Sequence, residues 1–144
     1  MTFRRVLIAV DSEPVAAHAA DVGIELARSL AAEIAFVHVV DPKNDSHPEG
    51  GVVASELAGR AQADARKLLA VFSGHLPGEL KALEFVRTGE AATEIINTAK
   101  QWEADFIVIG THGRCGIKRA ILGSVAEKVM RHAPCPVVAV RARC

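Results

Sequence analysis

Short runs of β-branched and other apolar residues alternate along the chain with longer segments of helical periodicity. The apolar runs fall near residues 5–10, 33–40, 82–87, 105–110 and 136–141. Strands joined by helices have to run parallel, and right-handed crossovers then place helices on both faces of the sheet. The pattern therefore predicts an α/β, Rossmann-like fold with a doubly wound open parallel sheet of five strands. The expected strand order is 3-2-1-4-5.

Helix signals occupy the segments between these runs. Asp11 or Ser12 is the expected N-cap of the first helix, with Pro14 in its opening turn. The expected buried stripe of this helix is Val15, Ala19, Val22, Leu26 and Leu30. The fourth helix is predicted to start at Ser124, where Glu127 completes a capping box.

The composition limits the classes of function. With 144 residues, of which 50% are hydrophobic, the chain can bury a substantial core, and we expect residues 1–144 to form a single domain. Lys plus Arg and Asp plus Glu both total 17, so the chain lacks the broad basic field that nucleic-acid binding requires. Any anion site has to be local. Residues 41–51 are the one long polar stretch rich in Pro and Gly, which predicts a mobile loop that can act as a flap.

Cysteine usage and the length of the apolar runs indicate the compartment. Cys115, Cys135 and Cys144 are odd in number and lack metal-binding spacing, so we expect neither a disulfide framework nor a zinc site. No apolar run approaches the roughly 20 residues that cross a bilayer. The expectation is a soluble protein of a reducing cytoplasm, without contact to a membrane.

A spaced glycine motif after the fourth apolar run is the strongest indication of function. The motif is G-x2-G-x9-G-S, from Gly110 to Ser124. Glycines allow positive φ and close approach of the backbone, so several N–H groups can converge on an anion. Ser124 then opens a helix whose N-terminus favours a second phosphate contact. Because neither a Walker A loop nor a G-x-G-x-x-G fingerprint is present, the prediction is another kind of phosphate or nucleotide site.

The same motif, together with the run 6–11 and the ending 134–141, resembles the universal stress protein family. The resemblance covers essentially the whole chain, and the spaced glycines are those of the ATP-binding branch of that family. It implies a nucleotide-dependent role in the stress response and a homodimer built on the strand at 136–141. Ala126 departs from the pattern, since relatives often carry a hydroxyl residue there.

The resemblance also implies which residues meet the nucleotide. Asp11, with the backbone of Ala9 and Val10, would contact the ribose and adenine, and the Val39 backbone would hydrogen-bond to adenine. The phosphates would be held by Gly110, Thr111, His112, Gly113, Arg114, Gly116, Gly123, Ser124, Val125 and Ala126. The residue types suit these roles, because a carboxylate accepts from ribose hydroxyls and backbone amides donate to phosphate oxygens.

Alternative interpretations of single residues stay open. Asp11 can cap a helix with one oxygen and accept from a ribose with the other. His112 is either a phosphate donor or an exposed loop residue, and Arg114 either attracts a triphosphate or belongs to a solvated face. Cys115 is either an oxidisable thiol near positive charge or a residue without a role in the site.

Three classes of function follow from these residues. Phosphoryl transfer needs an in-line nucleophile, a base and usually an acidic metal ligand, and only Asp11 is an obvious candidate. The expected function is therefore ATP binding, with any Mg²⁺ held through the phosphate oxygens. A slow ATPase of the same fold is the enzyme alternative. The third class is an interaction protein that acts without nucleotide, through the apolar edge strand at 136–141.

Overall fold

The computed structural model describes residues 2–45, 54–111 and 123–141, and its sheet has the predicted topology. Five parallel strands lie in the order β3-β2-β1-β4-β5. The strands are β1 (Arg5–Ala9), β2 (Glu33–Val40), β3 (Ala82–Thr88), β4 (Phe106–Gly110) and β5 (Val137–Val140). The helices are α1 (Pro14–Leu30), α2 (Pro42–Asp45), α3 (Ala54–Gly74), α4 (Ala91–Trp102) and α5 (Ser124–His132). In such a doubly wound sheet, a crevice opens past the carboxyl ends of β1 and β4, where the strand order reverses.

The side chains of the central strands alternate between two apolar layers. Even-numbered residues of β1, β2 and β4 pack with α1 and α3, and odd-numbered residues pack with α4 and α5. Helices on both faces explain why these strands are continuously apolar rather than alternating. Helix α4 packs on the sheet through a stripe at helical spacing, with Ala92, Ile95, Ile96, Thr98 and Ala99 buried.

Helix α1 packs through its small residues, which corrects the predicted stripe. Its buried residues are Ala16, Ala19, Ala20, Gly23, Ile24 and Ala27. Of the predicted stripe, only Ala19 is buried. Val15, Val22 and Leu26 are partly buried at the edge of the contact between α1 and the sheet, and Leu30 is 43% exposed. The reason is close approach to the sheet, since a Cβ atom at Gly23 would lie 2.6 Å from Cδ1 of Ile8. Close packing selects alanine and glycine where hydrophobicity alone favours valine and leucine.

The start of α5 also differs from the prediction. Ser124 is the first helical residue and Gly123 is the N-cap, with no hydrogen bond from a capping side chain. The predicted capping box between Ser124 and Glu127 is therefore wrong. Without a capping side chain, the first backbone N–H groups of α5 need other acceptors.

The segment at 41–51 was predicted to be a loop, but its first part is helical. Residues 42–45 form α2, preceded by a turn in which the Asp41 carboxylate accepts from the Lys43 N–H at 2.9 Å. Residues 46–51 lie outside the described part of the chain. Within the described ranges, no helix combines the length and the apolar composition needed to span a membrane.

Candidate functional site

A crevice is present at the carboxyl ends of β1, β2 and β4, between the starts of α1, α4 and α5. The predicted residues that line it are Ala9, Val10, Asp11, Val39, Gly110, Gly123, Val125 and Ala126. Its enclosed part has a volume of about 90 Å³, and a shallower groove of about 760 Å³ adjoins it along α3. The fold thus gathers at one place residues that are as far apart in the sequence as Ala9 and Ala126.

Other predicted residues lie elsewhere. Thr111 is 8% exposed and faces β5, because its N–H and Oγ1 both donate to the Val140 carbonyl, at 2.8 and 3.3 Å. Ser124 is exposed at the start of α5 and does not line the crevice. The remaining predicted loop residues, and the cysteine among them, lie outside the described part of the chain: His112, Gly113, Arg114, Cys115 and Gly116.

Gly110 does not adopt the positive φ that the glycine motif allows, and the structure shows a packing constraint at this position. Its φ is not in the left-handed region, and neither is that of Gly123, at −60°. A Cβ atom at Gly110 would lie 3.0 Å from Cγ1 of Val15, a side chain that also lines the crevice. At this position the packing of α1 on β4 leaves little room for a side chain, and no positive φ is involved.

Asp11 lies at the lip of the crevice, in the turn between β1 and α1. Its Oδ1 accepts a hydrogen bond from the Glu13 N–H at 2.9 Å. Glu13, rather than Asp11 or Ser12, is the N-cap of α1, so the predicted cap is wrong by one or two residues. Among the described residues, the second carboxylate oxygen of Asp11 has no hydrogen-bond partner. The side chain is therefore oriented by its own turn and has an acceptor for a ligand hydroxyl.

The strands β1 and β2 separate at the crevice. The last backbone hydrogen bond between them runs from the Val10 N–H to the Val37 carbonyl, at 2.9 Å. The Val10 carbonyl is 2.8 Å from Nδ1 of His38. A carbonyl oxygen only accepts, so this contact fixes the proton on Nδ1 of His38. Val10 is consequently tied to β2 through both of its backbone groups.

The first turn of α5 contributes backbone donors. The first intrahelical bond runs from the Glu127 N–H to the Gly123 carbonyl at 2.9 Å, so the amides of Ser124, Val125 and Ala126 precede it. These N–H groups lie at the positive end of the helix dipole. Ala126 is 2% exposed and its methyl group lines the crevice, which leaves the adjoining space open.

The charges around the crevice are unevenly distributed. The described lining of the groove along α3 carries four carboxylates and one guanidinium, those of Asp11, Glu13, Asp41, Asp64 and Arg60. On the opposite side, Lys128 of α5 pairs with Glu90 at the start of α4. The hydrogen bond and positive charge of Lys128 hold the pKa of Glu90 below its usual value. The Lys128–Glu90 pair carries no net charge, so an anionic group meets less repulsion on the α5 side than in the groove along α3.

Several lining residues were missed by the sequence reasoning: Val15, Ala16, Val37, His38, Ala91, Ile95 and Ile109. Ala91 is the first residue of α4. A small residue at the start of a helix that follows a strand was the sequence signal that could have indicated its place in the crevice. His38 directly precedes the predicted Val39, but nothing in its type or spacing indicated a contact with β1. Among the described residues, no group of three or more His, Cys, Asp or Glu side chains is arranged to hold a metal ion.

Comparison with known proteins gives consistent matches over the full length. The profile of the universal stress protein family matches residues 2–141. A universal stress protein of Methanocaldococcus jannaschii is 33% identical over 142 residues, covering 96% of this chain and 82% of that protein. The solved structure of UspA from Lactobacillus plantarum has a TM-score of 0.81 at 27% identity, over 98% of this chain and 99% of that one. A universal stress protein from Archaeoglobus fulgidus, solved in complex with dAMP, has a TM-score of 0.65 at 23% identity, over 97% and 99%.

Proposed function

This chain belongs to the universal stress protein family, and from that premise we propose that it binds ATP in the crevice and acts as a nucleotide-dependent regulator of the stress response in the cytoplasm. One observation carries the proposal. The crevice places the Asp11 carboxylate, the Val39 backbone and the amides of α5 around a single apolar volume. The dAMP complex of the Archaeoglobus fulgidus protein, which has the same fold, supports the choice of an adenine nucleotide.

The dimensions of the crevice support a placement for each part of the proposed ligand. Its enclosed volume of about 90 Å³ is below the range of about 300–1,000 Å³ typical of ligand pockets, so only part of a nucleotide enters it. The base is the part that suits its apolar lining, to which Ile95 and Ile109 contribute. The ribose then lies at the lip, next to the acceptor oxygen of Asp11.

The phosphates are placed by charge. The carboxylates of the groove along α3 repel a triphosphate, whereas the uncapped amides at the start of α5 attract it. In the sequence, Arg114 and two further cations, Lys118 and Arg119, precede α5. ATP brings its own Mg²⁺ through the phosphate oxygens, so the proposal needs no acidic metal site of the protein.

We expect Asp11→Ala to weaken ATP binding between about 10-fold and 100-fold, the value of a hydrogen bond to a charged group. Isothermal titration measures this directly. Asp21→Ala is the matched control, because Asp21 is an exposed carboxylate on α1 that does not line the crevice. Equal affinities of the two variants would contradict the role of Asp11, and a wild-type protein without saturable heat would contradict ATP binding itself.

Binding rather than hydrolysis is the proposed activity. Among the described residues that line the enclosed crevice, Asp11 is the one with an acidic side chain, and its contact with the Glu13 N–H holds it in the turn on the ribose side. Hydrolysis needs a group that positions water in line with the transferred phosphoryl group. A slow ATPase stays the alternative, and sustained phosphate release that Asp11→Ala abolishes would favour it.

We also propose a homodimer through the strand at 136–141. β5 is an edge strand, and Val137, Val138 and Ala139 are all partly exposed. The carbonyls of Pro136 and Val140 accept from β4, so even-numbered residues face β4 and odd-numbered residues face outward. No described strand pairs with the outer edge of β5, and this edge, with the apolar side chains beside it, suits pairing with a second copy of the chain.

Ala139→Pro tests this interface, because it removes an outward-facing N–H without removing a hydrogen bond to β4. In light scattering we expect the wild type at twice the mass of one chain and the variant at the mass of one chain. The unfolding midpoint of the variant, measured well below the dissociation concentration, should match that of the wild type. A wild-type protein at the mass of one chain would exclude the dimer.

A further inference from the structure

The hydrogen-bond pattern between β1 and β2 has a regular alternation that stops at the crevice. Odd-numbered residues of β2 face β1: the Glu33 N–H donates to the Arg4 carbonyl at 2.7 Å, and the Val37 carbonyl accepts from Val10 at 2.9 Å. Val39 is the next residue on this side of β2. In a parallel ladder that continued, its N–H would donate to the Val10 carbonyl.

The His38 side chain takes that position instead. Its Nδ1 lies 2.8 Å from the Val10 carbonyl, and the strand pairing ends one residue earlier, at Ala9 and Val37. No hydrogen bond joins Val39 to β1 in the described part of the chain. The Val39 N–H and carbonyl, which point in the same direction in a strand, are therefore directed into the gap between β1 and β2. His38 and Val39 both line the crevice there.

We propose that His38 is a positioning residue that sets the base specificity of the nucleotide site. By donating Nδ1–H to the Val10 carbonyl, His38 prevents the Val39 N–H from forming a hydrogen bond to that carbonyl. The Val39 N–H then remains available as a donor to a base, and the Val39 carbonyl as an acceptor. Adenine offers an acceptor ring nitrogen next to a donor amino group, which complements this pair. Hypoxanthine offers a donor and an acceptor in the reverse order and does not. The inference rests on the proposed binding of an adenine nucleotide.

Two variants separate the hydrogen bond from the bulk of the side chain. In His38→Asn, the amide nitrogen stands the same number of bonds from Cα as Nδ1 and can donate to Val10. His38→Leu has the same branching as asparagine but no donor. We expect the leucine variant to let the Val39 N–H bond to the Val10 carbonyl, and the asparagine variant to behave as the wild type.

Amide hydrogen exchange in the nucleotide-free protein, followed by NMR, provides the first readout. The Val39 amide should exchange at least about 10-fold more slowly in His38→Leu than in the wild type or His38→Asn, because a ladder bond protects it. The amides of Val37 and Phe36 serve as internal references. Equal exchange of the Val39 amide in all three proteins would overturn the proposal, whether or not a nucleotide binds.

Base discrimination is the second readout, measured by titration with ATP and with inosine triphosphate. His38→Leu should lose about 10-fold in affinity for ATP, the value of one or two hydrogen bonds, and less than 2-fold for inosine triphosphate. His38→Asn should retain the preference of the wild type. A parallel loss of both affinities in His38→Leu would show a general structural role and overturn the inference. If the wild type binds neither nucleotide, the proposed function fails, and the specificity role fails with it.

Discussion

Replacing Gly23 with valine is expected to lower the free energy of unfolding by about 3 kcal/mol, the upper end of the usual cost of overpacking. A Cβ atom at this position would lie 2.6 Å from Cδ1 and 2.7 Å from Cγ1 of Ile8, and 3.5 Å from Cγ2 of Val108. Ile8 and Val108 are fully buried in the central strands, so neither side chain can move into free space. The helix has to shift away from the sheet to admit the new side chain.

Gly59→Val is the matched control, since Gly59 is also helical and a Cβ atom there meets nothing within 4 Å. Valine and glycine differ by only a few tenths of a kcal/mol in helix propensity, so this variant should stay within about 0.5 kcal/mol of the wild type. Urea unfolding with comparable m-values measures both changes. Similar stabilities of the two variants would show that α1 is not packed as closely as described.

The second large effect is expected at Ala91, where phenylalanine should reduce the affinity for ATP about 60-fold. Ala91 lines both the enclosed crevice and the adjoining groove, at the first position of α4. A large side chain there occupies the space proposed for the base. Loss of about 100 Å² of apolar burial costs about 2.5 kcal/mol, a factor of about 60 in affinity. Because Ala91 is partly exposed, the fold itself should tolerate the change.

Asn97→Phe provides the comparison, because it adds the same side chain to an exposed position of the same helix, away from the crevice. This variant should bind ATP as the wild type does. Titration of both variants with ATP, with circular dichroism to confirm that they are folded, tests whether the base occupies the crevice. Undiminished binding by a folded Ala91→Phe would place the base elsewhere and remove the proposed assignment of the crevice.

The sheet was predictable because its determinants are local and repeated. Each strand is a short apolar run bounded by helical segments, and the right-handed crossover rule leaves few ways to arrange such units. The side chains that α1 buries were not predictable in the same way. Small and large apolar residues alternate around this helix, and only the distance of the helix from Ile8 decides that alanine and glycine face the sheet.

The candidate site was predictable to the extent that it depends on topology. The carboxyl ends of parallel strands meet at one edge, so Asp11, Val39 and Gly110 were expected to lie together, and all three line the crevice. The role proposed for His38 depends on where the pairing of β1 and β2 stops, which no sequence pattern marks. The cap of α5 was missed because serine and glycine both serve as N-caps, and here Gly123 precedes Ser124 in that position.

The close contact between Gly23 and the sheet also affects the position of the first turn of α1. An α-helix rises about 1.5 Å per residue, so this contact lies about 10 Å along the axis from Ala16, which borders the crevice. A helix behaves as a stiff rod over such a length. Any change that lifts the middle of α1 also displaces Val15 and Ala16, so the width of the crevice depends on a contact that lies outside it.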